Sequence, residues 1–166
     1  MKDMKKYDTV LFDLDGTLTD PESGLISSFK YALDKMGVEY GTVESLKRFI
    51  GPPLYSEWKR VFKFSDEEAD RALLTFREYY ARYGWWDNKI YGGIAEMLAQ
   101  LKATGFLLAV ATSKPEIFAK KVLKLFEIDK YFDFVGAADT DRTRDKKQEV
   151  IDYVFENIGE FSPAMQ

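Results

Sequence analysis

The stretch Thr9-Val10-Leu11-Phe12-Asp13-Leu14-Asp15-Gly16-Thr17-Leu18 decides how this chain is read. Its first half is apolar, β-branched and aromatic, the composition of a buried strand. It ends in two aspartates one residue apart, followed by Gly-Thr. Residues i and i+2 of a strand share a side. Asp13 and Asp15 are therefore expected to face one small volume at the C-terminal end of the strand, where ligands gather in open α/β sheets. Gly16 permits the positive φ of a sharp turn. Two crowded carboxyls can divide labour, one ionised as nucleophile or metal ligand and the other protonated as an acid. A plain strand closed by an Asp-Gly turn is the competing reading.

The chain has 166 residues, 46% of them hydrophobic and 16% aromatic, enough for one solid core with an insertion. Lys and Arg number 24 against 28 Asp and Glu, a net charge of -4, which argues against a general nucleic-acid binder. Cysteine and histidine are both absent. Disulfide frameworks, Cys/His zinc sites and Ser–His or Cys–His catalysis are thereby excluded. Polar chemistry is left to carboxylates, hydroxyls, lysines or an oxygen-ligated metal. No apolar run is long enough to span a membrane and the N-terminus lacks a signal-peptide pattern, so a cytoplasmic protein without membrane partners is expected.

The spacing of apolar residues predicts a strand over 7–12, then helices over 22–36, 43–50, 54–62 and 65–83. Ser65 and Glu68 have capping-box spacing. The stripe Ala69, Ala72, Leu73, Phe76, Tyr80 and Tyr83 is read as core. Beyond Tyr91-Gly92-Gly93 the pattern alternates: helix 94–102, strand 106–111, a helix to 126, strand 132–137, a polar loop over 139–145 and a last helix. The alternating parts predict an α/β fold with a doubly wound parallel sheet. The chain divides into a discontinuous core, 1–20 with 89–166, and an inserted all-helical domain, 21–88.

Two further segments end at the same sheet edge. Thr112-Ser113-Lys114-Pro115 follows the second strand, with Pro115 suited to the first turn of a helix. Hydroxyls and N–H groups at that helix N-terminus would cradle a phosphate, unless Thr112 merely caps the helix. Lys114 is read as solvated, with substrate contact as the alternative. The run Arg142-Thr143-Arg144-Asp145-Lys146-Lys147 follows the third strand. One of its lysines could reach the carboxylates, against the alternative of a solvated charge run.

Taken in order, these elements resemble the haloacid dehalogenase-like phosphatases. Within them the chain is most similar to the phosphoglycolate phosphatase-type branch with a helical cap, through Phe49-Ile50-Gly51-Pro52-Pro53-Leu54, Tyr91-Gly92-Gly93-Ile94 and Ala111-Thr112-Ser113-Lys114-Pro115. The resemblance implies a Rossmann-like core and a magnesium-dependent phosphomonoesterase. It implies that Asp13 attacks phosphorus, Asp15 serves as acid and then base, and Thr112 with the Ser113 N–H holds the phosphoryl group. Lys147 would stabilise charge, with Lys146 as the fallback. It also implies phosphate or substrate contacts at Gly16, Thr17, Lys114 and Gly51, with Arg48 and Lys47 either substrate contacts or, equally, plain surface residues, and Mg2+ on Asp13 and Asp15. A small phosphorylated metabolite is the expected partner. Other branches, a nucleotidase, a sugar-phosphate phosphatase or a phosphomutase, remain open, as does an inactive phosphate-ligand-binding protein.

One family element has no counterpart in these 166 residues: the apolar strand ending in Gly-Asp that completes the magnesium site. The sheet is therefore expected to be incomplete on that side and activity impaired. Asp139 or Asp141 could approach the metal from the loop after the third strand, but neither is expected to replace that element. The open edge of the first strand is expected to favour self-association.

Overall fold

The computed structural model describes residues 8–139, 144 and 146–158. Residue 7 of the first predicted strand, and Asp141, Arg142, Thr143 and Asp145, lie outside the described residues. The chain divides into two compact units, Met1–Asp20 with Lys89–Gln166, and Pro21–Asn88.

The first unit begins with β1 (Thr9–Phe12) and β2 (Thr19–Asp20). The second unit then supplies α1 (Glu22–Met36), α2 (Val43–Leu46), α3 (Leu54–Phe62) and α4 (Asp66–Tyr79). The chain returns to the first unit as β3 (Lys89–Ile90), α5 (Ile94–Ala103), β4 (Leu107–Pro115), α6 (Glu116–Leu125), β5 (Phe134–Ala138) and α7 (Lys147–Ile158). The sheet is parallel, in the order β1-β4-β5, with Leu11 opposite Ala109 and Val110 opposite Val135. Helices lie between successive parallel strands, as expected for a wound α/β sheet.

β4 is the central strand, and its interior residues Leu108, Ala109, Val110, Ala111 and Thr112 are all buried. Strands covered on both faces read as such continuous apolar runs. Ala109 and Ala111 pack with Val150, Val154 and Ile158 of α7, joined by Leu11 and Phe134. The apolar spacing of α7 thus fixes the helix whose first residue is Lys147. β2 and β3 pair antiparallel, Thr19 opposite Ile90. Strands of two residues carry no periodicity, which is why the sequence pattern does not show them.

In the second unit an aromatic cluster forms the core. Trp58 is fully buried and meets Phe29, Phe49 and Phe76 edge-on at 6.2–6.3 Å. Two expectations change here. The helix predicted over 43–50 ends its α-helical part at Leu46 and continues as a 3-10 turn, Lys47–Phe49. The helix predicted to reach Tyr83 gives way to a π turn, Tyr80–Gly84, in which the Trp85 N–H donates to the Tyr80 carbonyl. The wider turn shifts the helical phase, so Tyr83 leaves the core stripe and is half exposed.

Ser65 opens α4 with a complete capping box. Its hydroxyl accepts from the Glu68 N–H, and the Glu68 carboxylate accepts from the Ser65 N–H. That backbone N–H holds the Glu68 carboxyl below the usual glutamate range. Its contribution is therefore present above the unfolded pKa and is lost as the pH falls through the folded value. Ser65→Ala is expected to cost about 1 kcal/mol by denaturant titration at neutral pH.

Gly24 of α1 marks a close approach. A Cβ at this position would lie 2.0 Å from the Gly84 carbonyl oxygen and 2.7 Å from that of Asp87. In an open helix Gly→Ala is stabilising by up to about 1 kcal/mol. Here backbone atoms block the methyl group, so Gly24→Ala is expected to destabilise by about 3 kcal/mol, read from chemical denaturation.

Candidate active site

Strand β1 delivers Asp13 at its end, and the next six residues form a tight turn. The Leu14 carbonyl accepts from the N–H groups of Leu18 (2.9 Å) and Thr19 (3.0 Å), and the Gly16 N–H donates to the Thr19 carbonyl at 2.7 Å. Gly16 has φ +78°, the conformation that a side chain would strain. Leu14 and Leu18 are fully buried and anchor the turn, while Gly16 and Thr17 are exposed beside the two acids.

Asp13 is held at both oxygens. Oδ1 accepts from the Leu14 N–H at 2.7 Å, and Oδ2 lies 2.7 Å from the Lys147 ammonium. Lys147 also donates to the Ala111 carbonyl at 2.5 Å, bridging the end of β1 and the middle of β4. Both side chains keep about two-fifths of their surface in solvent, so the pair stays accessible to a ligand. Lys146 points elsewhere: its ammonium lies 3.7 Å from Glu149 and its side chain is 82% exposed. Of the two adjacent lysines, the structure brings Lys147 to the carboxylate.

Thr112 is buried, but it caps no helix. β4 continues to Pro115, which pairs with Ala138 across an irregularity between Thr112 and Pro115, and α6 starts only at Glu116. Pro115 is thus the N-cap of α6 instead of a first-turn residue. The Thr112 hydroxyl accepts from the Lys114 N–H at 3.2 Å, while Ser113 is exposed. The solvated reading of Lys114 is also overturned. Its side chain is 3% exposed and its ammonium lies 2.7 Å from Asp15 Oδ2. Val110, Thr112 and Lys114 alternate along β4 and are all buried.

The charge run before α7 is anchored as well. Arg144, 15% exposed at its side chain, donates to the Ala137 carbonyl at 2.9 Å and pairs with Asp139 at 2.5 Å. Its guanidinium lies 3.7 Å from the centre of the Tyr153 ring. Arg48 and Gly51 belong to the second unit. Arg48 is exposed and donates to the Ser45 carbonyl at 3.1 Å, and Gly51 is exposed with φ +104°. Lys47 is engaged by Glu22 (3.0 Å) and Glu44 (3.1 Å), and the Glu22 hydrogen bond leads in raising its pKa above the ordinary lysine value.

Among the described residues no group of three or more acids is placed to hold a metal. The donor set at the β1 turn is nonetheless of one chemical kind, carboxylate and carbonyl oxygen, in a chain without histidine or cysteine. Magnesium is commonly held by one or two carboxylates, with water and substrate phosphate completing its octahedron. Asp13 and Asp15 fit that pattern.

The sequence profile of the haloacid dehalogenase-like hydrolases matches residues 10–160. The chain belongs to this family. Its hydrolase fold is shared with named relatives. A 5'-nucleotidase of Pseudomonas aeruginosa is 36% identical over 154 residues, 93% of this chain and 70% of that one. The tyrosine-protein kinase PtkA of Mycobacterium tuberculosis is 39% identical over 142 residues, 86% of this chain and 48% of that one. The PtkA structure superposes with a TM-score of 0.81 at 34% identity, covering 98% of this chain and 73% of that one. A phosphoglycolate phosphatase of Aquifex aeolicus is 31% identical over 131 residues, 79% of this chain and 61% of that one. The chain thus spans from about half to 70% of these relatives. Their names agree on phosphoryl chemistry and differ in substrate. Among the described residues of this haloacid dehalogenase-like chain, no helix is long and apolar enough to cross a membrane.

Proposed function

We propose that this protein is a magnesium-dependent phosphomonoester hydrolase, phosphoglycolate phosphatase-like, working through a phosphorylated Asp13 in the cytoplasm. One observation carries the reading: an accessible carboxylate at the end of β1, fixed by the Leu14 N–H and by Lys147, with Asp15 two residues on and Thr112 on the paired strand β4, two residues beyond the Val110 that pairs with Phe12.

In the first half-reaction an Asp13 oxygen attacks phosphorus and the P–O bond to the alcohol breaks. The bonding pair passes to the alcohol oxygen, which takes a proton from Asp15. In the second, water attacks the aspartyl-phosphate, Asp15 takes back a proton, and the P–O bond to Asp13 breaks with its pair returning to the carboxylate. Lys147 offsets negative charge at Asp13 and at the phosphoryl oxygens. Thr112 and Ser113 bind the transferring group. The Asp13 carboxylate and the Asp15 backbone carbonyl would hold magnesium, which when bound supplies further charge neutralisation at phosphate. The substrate class is a small phosphomonoester.

Phosphate release from an aryl phosphate, with magnesium and then with chelator, tests this reading. Magnesium-dependent turnover is expected, and a panel of phosphoglycolate, nucleoside monophosphates and sugar phosphates ranks the substrates. Binding of a phosphate analogue with no turnover of any ester would replace it with the binding-protein reading.

A further inference from the structure

Lys114 has no role in the reaction as derived above, and its surroundings are unusual for a lysine. The irregularity of β4 between Thr112 and Pro115 and the Thr112 hydroxyl on the Lys114 N–H set its backbone. Such bulges re-aim side chains beside active sites. The result is an ammonium group on a side chain 3% exposed, 2.7 Å from Asp15 Oδ2. The other oxygen of Asp15, Oδ1, is buried and accepts no hydrogen bond among the described residues. The Lys114 ammonium is therefore the one hydrogen-bond donor on the Asp15 carboxyl among those residues. A lysine so enclosed is not presented to an incoming phosphate, and burial of an ammonium is costly unless it is paired.

We propose that Lys114 is the positioning residue of Asp15, fixing the orientation in which that carboxyl hands its proton to the departing alcohol. The inference rests on the aspartyl-phosphate reading above. Without Lys114 the Asp15 side chain loses its anchor and turns freely about its own bonds. Orientation of this kind is a large part of what a protein contributes to proton transfer. The nucleophile, held separately by Leu14 and Lys147, keeps its geometry.

The test exploits the leaving group. An alkoxide needs a proton as it departs, whereas 4-nitrophenolate leaves largely unaided. In the full chain, Lys114→Met is expected to lower kcat/KM for an alkyl phosphate by about tenfold or more, and for 4-nitrophenyl phosphate by about threefold or less. kcat/KM isolates the step that forms the aspartyl-phosphate, before water enters. Equal losses on both esters would mark Lys114 as merely structural, and a rise in KM alone would mark it as a substrate contact. Either result overturns the proposal. Lys114→Gln serves as the second variant if Lys114→Met melts below assay temperature. A double-mutant cycle of Lys114→Met with Asp15→Asn, read by thermal midpoint, needs no turnover. Non-additive shifts are expected, and additive ones would overturn the pairing by themselves. A wild-type chain that turns over neither ester would overturn the aspartyl-phosphate reading together with the proton-transfer role, whatever the cycle gives.

Discussion

Asp13→Asn removes turnover, by about ten-thousandfold or more in kcat, while the protein stays folded. The magnitude follows from what is lost. An amide oxygen is a poor nucleophile, and taking away the nucleophile of a covalent mechanism costs on the order of the whole chemical advantage. Stability moves little, because the substitution is isosteric. The amide oxygen can still accept from the Leu14 N–H now bound at 2.7 Å. The ion pair to Lys147 is two-fifths exposed on both sides, and pairs in such positions are worth about 1 kcal/mol or less. Steady-state hydrolysis beside a thermal melt checks both halves. A variant that stays active moves the nucleophile elsewhere.

Lys147→Met is expected to have the second largest effect, a loss of about a hundredfold to a thousandfold in kcat/KM. Removing one preorganised donor from a site of developing charge costs that much. Lys147 is preorganised by two bonds, to Asp13 Oδ2 and to the Ala111 carbonyl. It sits on the first turn of a helix whose apolar face is packed on β4. The methionine keeps the stem and removes only the charge. Lys146→Met is the matched control, since that side chain is 82% exposed and lies beside Glu149. It is expected to leave kcat/KM within about twofold, as a surface charge away from the chemistry should. Equal losses in the two variants would mean that the run of lysines acts only through net charge.

Much of this geometry is legible in the residues. The β1 stretch carries its strand, its turn and its two acids in ten letters, because alternation, β-branching and an Asp-Gly turn are all local signals. α1 and α3 begin and end where their apolar stripes do. What was hidden depends on partners distant in sequence. Lys114 reads as solvated because TSKP looks like the start of a helix. Only the pairing of Pro115 with Ala138 carries the strand on and turns Lys114 inward, to an acid 99 residues earlier. Arg144 reads as one charge in a solvated run. Its anchors, the Ala137 carbonyl, Asp139 and the Tyr153 ring, come from two different elements and the loop between them. The π turn after α4 leaves no mark in composition, since it is a change of hydrogen-bond register and not of residue type.

The central claim is a covalent phosphoryl group on Asp13. The direct measurement is rapid acid quench of the protein with magnesium and excess substrate, followed by mass spectrometry of peptides prepared at low pH. The account predicts one added phosphoryl group on the peptide holding Asp13, absent from the Asp13→Asn variant. Turnover with no phosphorylated peptide, or with the label on a hydroxyl residue elsewhere, would contradict it.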